Sequence, residues 1–197
     1  MGRNLYISDL HLGHANVIRF DGRPYQTVEE MDADLIRRWN ETVNPDDTVY
    51  ILGDFCWGKE DDWIRHLQRM KGNKVLIRGN HDIRNMSAKL RNMFQDVKDY
   101  KEIKDGDRNV IICHYPMPFY KRSYFERQYM LYGHVHTTRE EGFMMRWRKE
   151  LRDTYVGGGD ARAQFYNVGC MMAYMDYAPK TLDEIISGAA EFYGFSV

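Results

Sequence analysis

Apolar residues recur along this chain in two rhythms. Short runs rich in Val, Ile, Leu and Tyr lie at 4–8, 49–52, 75–78, 109–113, 129–132 and 164–168, with the length and composition of buried β-strands. Between and after them, apolar positions take helical spacing. Val28, Met31, Leu35 and Trp39 form one such face, opened by Thr27 and Glu30, a capping-box pair in which the hydroxyl satisfies an orphan amide and the glutamate reaches back. Asn44-Pro45-Asp46 closes that segment as a turn. Trp63, Ile64, Leu67 and Met70 mark a second helix with Gly72 beyond its end. Residues 87–94 give a third, and Thr181 with Glu184 caps a last one carrying Ile185, Ile186 and Ala189.

The order of strand, helix, strand, helix, strand and then mainly strands predicts an α/β (α+β) domain with parallel crossovers in its first half. The length of 197 residues suits a single domain, 1–197. One stretch, at about 140–162, is highly charged and has Gly157-Gly158-Gly159 near its end. It reads as an excursion from the sheet, too short to bury a core of its own.

Composition narrows the function classes. Apolar residues at 43% and aromatics at 14% support one sizeable core. A formal net charge of -1 gives no field for strong non-specific nucleic-acid or membrane attraction. It leaves room for a phosphate-bearing substrate, because metal ions supply positive charge locally. Cys56, Cys113 and Cys170 are far apart and form no paired framework, which points to a cytoplasmic protein. No apolar run approaches the roughly 20 residues that span a bilayer.

The placement of seven histidines changes the picture most. Asp9, His11 and His14 follow the first predicted strand, Gly53-Asp54 the second, and Gly79-Asn80-His81-Asp82 the third. His114 follows the fourth and Gly133-His134-Val135-His136 the fifth. Carboxyl ends of strands in open α/β sheets are where ligands bind, so these groups are expected to converge. In extended chain, residues two apart share a face, which would aim both members of Asp9-x-His11 and of His134-x-His136 at one point. His66 lies inside a predicted helix and reads as structural.

In order, D-x-H, G-D, G-N-H-D, H and G-H-x-H resemble the motif set of the calcineurin-like metallophosphoesterase superfamily over residues 4–136, with 167–186 as a closing strand and helix. The chain looks most similar to its small bacterial and phage-type members. The resemblance implies a four-layer β-sandwich flanked by helices, with two divalent transition-metal ions at one edge. Carried over by motif, Asp9, His11, Asp54 and His136 would hold one ion. Asp54, Asn80, His114 and His134 would hold the other, with Asp54 bridging. His81 would be the catalytic histidine near the leaving group. The second motif continues as Phe55-Cys56-Trp57-Gly58, without the arginine of the Ser/Thr protein phosphatases, which speaks against that activity.

The implied chemistry is metal-dependent hydrolysis of a phosphate ester, a phosphodiester first and a nucleotide among the candidates, by a hydroxide bridging the two ions in line with the leaving group. Two ions about 3.5–4 Å apart lower the pKa of a shared water and neutralise phosphoryl charge. Mixed imidazole and oxygen ligation suits manganese first, with iron, zinc or nickel as alternatives. Asp82 either orients the His81 ring or caps a turn. His14 either faces the site or caps the next helix. Tyr120, Lys121 and Arg122, in the aromatic and basic stretch 115–127, would form a pocket wall, with aromatic faces for a base or lipid and cations for phosphate, unless that stretch is a solvated loop. The alternatives to a phosphodiesterase are a phosphomonoesterase and a non-catalytic protein-binding scaffold on the same fold.

Overall fold

The computed structural model describes residues 2–154 and 164–194. In chain order the elements are β1 (Asn4–Ile7), α1 (Ala15–Phe20), α2 (Val28–Thr42), β2 (Thr48–Ile51), α3 (Glu60–Gln68), β3 (Asn73–Ile77) and α4 (Ala88–Arg91). They continue as β4 (Asp96–Lys98), β5 (Tyr100–Asp105), β6 (Arg108–Cys113), β7 (Gln128–Tyr132), α5 (Arg139–Thr154), β8 (Phe165–Asn167) and α6 (Leu182–Tyr193). Among the described residues the strands form two four-stranded sheets, ordered β1-β2-β3-β4 and β5-β6-β7-β8. The first is wholly parallel, as crossovers through α1 to α4 require. In the second, only the β5–β6 hairpin is antiparallel.

Side-chain alternation divides the second sheet between two cores. Val110, Ile112, Leu131 and Tyr166 enter the large core with Leu5, Ile7, Ile51 and Leu76 of the first sheet. The intervening Ile111, Met130, Tyr132 and Phe165 pack with Tyr120 and with Met144 of α5. Helices α2, α3 and α6 contribute Met31, Leu35, Trp39, Trp63, Leu67, Leu182 and Ile185 to the large core. The result is two sheets flanked by helices in four layers, as the motif resemblance implied. The sheets are also tied by backbone, with Ser8 N–H donating to Val168 O at 2.8 Å, while Tyr6 and Lys180, just before α6, exchange hydrogen bonds at 2.8 and 3.1 Å. The C-terminal ends of β1, β2 and β3 and those of β6 and β7 thereby reach a common edge.

Six strands coincide with the apolar runs, within two residues at each end. Strands β4 and β5 carry no such run because they are sheet edges with charged, half-solvated sequences. Thr27 caps α2 by accepting from Glu30 N–H at 3.1 Å, while the Glu30 carboxylate accepts from Gln26 N–H at 2.8 Å, one residue short of the reciprocal box. The box at Thr181 and Glu184 is complete. The third helix is only one turn, Ala88–Arg91.

The charged stretch at about 140–162 leaves the sheet after β7 where the structure describes it. Its first part is the 16-residue helix α5, and 155–162 lies outside the described residues. The buried face of α5 includes two charged side chains, which hid its periodicity. Glu141 accepts from Tyr132 Oη at 2.9 Å, Asn167 Nδ2 at 3.0 Å and Tyr193 Oη at 2.6 Å. Arg148 donates to Phe165 O and Tyr166 Oη, both at 3.0 Å.

The turn into β2 rests on Asp47, buried and accepting from Arg3 N–H at 2.8 Å, from Asn44 N–H at 2.9 Å and from the Arg3 guanidinium at 2.7 Å. The Arg3 hydrogen bond takes this carboxyl from its ordinary 3.8 down to about 2. Its contribution is therefore complete above about pH 4 and is lost as pH falls through about 2. Asp47→Ala should lower unfolding stability at neutral pH by about 1.5–3 kcal/mol, the range for hydrogen bonds to charged groups. Urea denaturation at pH 7 measures it, and an unchanged midpoint would contradict the assignment.

Candidate metal centre

The motif residues do converge. Asp9, His11 and His136 place one donor atom each within 4.8 Å of one another, and so do Asp9, Asp54 and His114. Asp54 Oδ2 stands 3.6 Å from both His11 Nε2 and His114 Nε2, between the two groups. Asn80 Oδ1 lies 3.0 Å from His114 Nε2. The His134 ring stands beside these donors, edge-on to His114 with centroids 5.1 Å apart. Its backbone N–H donates to the Asp9 carboxylate at 3.1 Å.

Convergence does not arise from extended backbone. Asp9, His11, Asp54, His134 and His136 all adopt left-handed conformations, with φ of 56°, 50°, 51°, 69° and 49°. The chain turns sharply off each strand, so the two-residue spacing in D-x-H and H-x-H reflects paired turns rather than a shared strand face. Such backbone costs of order 1–3 kcal/mol per residue and persists only where neighbours hold it. Here the loops hold each other: Asp9 N–H donates to Gly53 O at 3.0 Å and His11 N–H to Asp54 O at 2.9 Å. Two motif glycines admit this packing. A Cβ on Gly133 would collide with Ser8 Oγ and the Asp9 carboxylate, and one on Gly79 with the Asp54 carboxylate.

The arrangement fits divalent cations. His114 Nδ1 lies 2.7 Å from Leu52 O, and a carbonyl only accepts, so this nitrogen carries the proton. The other nitrogen of the neutral ring then presents a lone pair to Asp54 and Asn80. His136 Nδ1 likewise bonds Asp21 Oδ1 at 2.6 Å, turning Nε2 towards His11 Nε2 at 3.4 Å and Asp9 at 3.6 Å. Lone pairs and carboxylates thus face one another with a cation's charge as the natural balance. Burial pushes the Asp9 carboxyl up and takes His11 down to about 2. An imidazole held neutral keeps its lone pair for a metal.

A family model described as the calcineurin-like phosphoesterase superfamily domain matches residues 3–181. The chain belongs to the calcineurin-like phosphoesterase superfamily. That family implies divalent metal ions, and the clustered donors are candidates to hold them. An uncharacterized protein of Methanocaldococcus jannaschii is 45% identical over 83 residues, 41% of this chain and 47% of that protein. The Gene 66 protein of Mycobacterium phage D29 is 32% identical over 127 residues, 56% of this chain and 62% of that protein. The chain therefore spans less than two thirds of the length of these relatives. A solved protein of unknown function from Aquifex aeolicus shares the fold, with a TM-score of 0.65 at 24% identity, covering 95% of this chain and 99% of that one.

The remaining candidates separate clearly. His81 is exposed beside the donor cluster, its backbone N–H on Asp54 Oδ1 at 3.0 Å and its ring 5.9 Å from that of His11. The Asp82 carboxylate, one reading of which set it at the His81 ring, instead accepts from Gly79, Phe55 and Asp54 N–H at 2.8, 2.9 and 3.1 Å. It is a turn residue that clamps two ligand loops together. His14 occupies the N-cap position of α1 without a side-chain cap bond. Its ring stacks on Trp57 at 4.4 Å and lies 5.5 Å from that of His11. His66 is buried, 3.7 Å from Asp32.

For Tyr120 the pocket-wall reading is corrected. Tyr120 is buried in the smaller core with its hydroxyl on Gln128 O at 2.9 Å, leaving no ring face for a ligand. Lys121 pairs with Glu102 at 2.8 Å, and Arg122 sits in a turn at φ 59°. Sequence reading missed Asp21 and Arg23. Arg23 is buried and donates to Asp9 O at 2.8 Å, Leu10 O at 2.9 Å and Asp21 Oδ2 at 3.0 Å. Asp21 meets His136 across 115 positions, and no short motif announces a partner that distant. Removing a carboxylate that orients a metal-binding histidine costs about 10–100-fold in affinity. Asp21→Ala should weaken divalent-cation binding by that factor in isothermal titration calorimetry; unaltered binding would contradict the role.

Proposed function

We propose that this chain is a binuclear metal-dependent phosphoesterase acting on phosphodiesters in preference to monoesters. The observation that carries the reading is the placement of Asp54 Oδ2 at 3.6 Å from imidazoles of both donor groups. Asp9, His11, Asp54 and His136 would hold one ion, and Asp54, Asn80, His114 and His134 the other, with manganese the first candidate. Such ions supply an attacking water of lowered pKa and neutralise charge on the phosphoryl oxygens.

The protein's own groups do the rest. Asp54 and Asp9 fix the relative position of the two donor groups, and the Leu52 carbonyl and Asp21 hold His114 and His136 in the tautomers that present Nε2. His81, exposed beside the cluster, would donate a proton or a hydrogen bond to the departing oxygen. Trp57, half-exposed, stacks on His14 and lies 5.3 Å from the His81 ring, so it shields that side of the rim. The full ligand set speaks against a non-catalytic scaffold. Three cysteines that remain unpaired suit a cytoplasmic setting, and no helix among the described residues is long and apolar enough to cross a membrane.

With manganese, hydrolysis of bis(4-nitrophenyl) phosphate should exceed that of 4-nitrophenyl phosphate; the reverse order would assign a monoesterase. His81→Ala should retain metal and lose about 10²–10⁴-fold in kcat, the usual contribution of a positioned acid. Asp54→Asn should lose paired metal occupancy as well as turnover. Full activity in His81→Ala would remove its assignment.

A further inference from the structure

Beside the metal cluster lies a cleft of about 370 Å³ between the loop after β6 and the first turns of α5. Tyr115 and Pro116 line it from the loop, Glu140, Phe143 and Met144 from the helix, and His134 is common to cleft and cluster. The Tyr115 and His134 rings are only 4.6 Å apart. A molecule seated here therefore sits next to the reacting phosphate.

We propose that this cleft is the recognition pocket for the nucleoside portion of a nucleotide phosphoester, with the base against Tyr115 and Phe143. The inference rests on the hydrolase reading and names its substrate class. Three observations favour a nucleoside. Tyr115 and Phe143 are 45% and 60% exposed, so two aromatic rings beside a metal site leave surface open to stacking. Arg146 covers part of Phe143, with its guanidinium 4.3 Å from the ring centroid, which steadies the ring while leaving it accessible. Among the described residues no lysine or arginine lines the cleft, whereas Glu140 does. Phosphate is thus left to the metal cluster, and the cleft takes a neutral group.

Glu140 then decides between neutral groups. An ionised carboxylate only accepts hydrogen bonds, so it matches a partner that donates. Ribose hydroxyls and the amino or imino groups of a base donate; an acyl chain does not, and would cost the carboxylate its hydration. The volume lies within the range of about 300–1,000 Å³ typical of small-molecule pockets.

Three esters with one chromophore and one leaving group test this on the manganese-loaded protein: thymidine 5′-(4-nitrophenyl phosphate), methyl 4-nitrophenyl phosphate and octyl 4-nitrophenyl phosphate. The nucleoside ester should show a kcat/KM about tenfold or more above the methyl ester, in keeping with base–aromatic stacking. Phe143→Ala and Tyr115→Ala should each reduce that ratio by about fivefold or more. Equal values for the nucleoside and methyl esters, a preference for the octyl ester, or an unchanged ratio in both variants would overturn the proposal. If no ester turned over, the hydrolase reading would fall separately. Calorimetric binding of adenosine monophosphate against glycerol phosphate then reads the cleft without chemistry: tighter adenosine monophosphate binding, weakened by Phe143→Ala, supports it, and equal dissociation constants overturn it.

Discussion

Buried acceptors that face one another need positive charge between them, and the rest of this structure is arranged around that requirement. Asp9 and Asp54 are buried at the edge of two sheets together with imidazoles whose lone pairs aim at the same space. Without a cation, desolvation and lone-pair repulsion would press the cluster apart. The chain also bends each ligand loop into left-handed backbone to bring these groups together. Stability is spent at this edge for the sake of binding, and the wide apolar core behind it supplies the margin.

Rigidity around the cluster comes from groups that are not themselves ligands. The Leu52 carbonyl receives both Ser8 Oγ–H and His114 Nδ1–H. Arg23 gathers the carbonyls of Asp9 and Leu10 while holding Asp21 against His136. On the opposite side, Asn167 Nδ2 donates to His136 O at 2.9 Å and to the buried Glu141 carboxylate of α5. The same helix that anchors the H-x-H loop from below also carries Glu140, Phe143 and Met144 into the neighbouring cleft. On the proposed reading, recognition and metal holding would share one scaffold, and a ligand in the cleft would meet a wall fixed relative to the donors.

Much of this was legible in the sequence because strand ends and metal-competent residues coincide five times over. The parallel first sheet, the α2 and α6 caps and the gathering of Asp9, His11, Asp54, His114 and His136 at strand ends followed from local patterns, whereas the left-handed turns that aim four of these side chains did not. What escaped was whatever depends on partners distant in sequence or on solvated edges. Strands β4 and β5 lack an apolar run, Glu141 and Arg148 disguise the inner face of α5 with charge, and Asp21 finds His136 only in three dimensions. Tyr120 was misplaced for the opposite reason. An aromatic beside basic residues reads as a surface feature, yet the alternation of the second sheet gives its ring a core to enter. Asp82, likewise, satisfies three amides that sequence cannot show to be orphaned.

The central claim is that two divalent ions share this edge through Asp54. A crystal soaked in manganese and measured at the manganese absorption edge tests it directly. Two anomalous peaks flanking the Asp54 carboxylate, one among Asp9, His11 and His136 and one beside His114 and Asn80, are the predicted result. A single peak, or peaks elsewhere with this cluster empty, would contradict it.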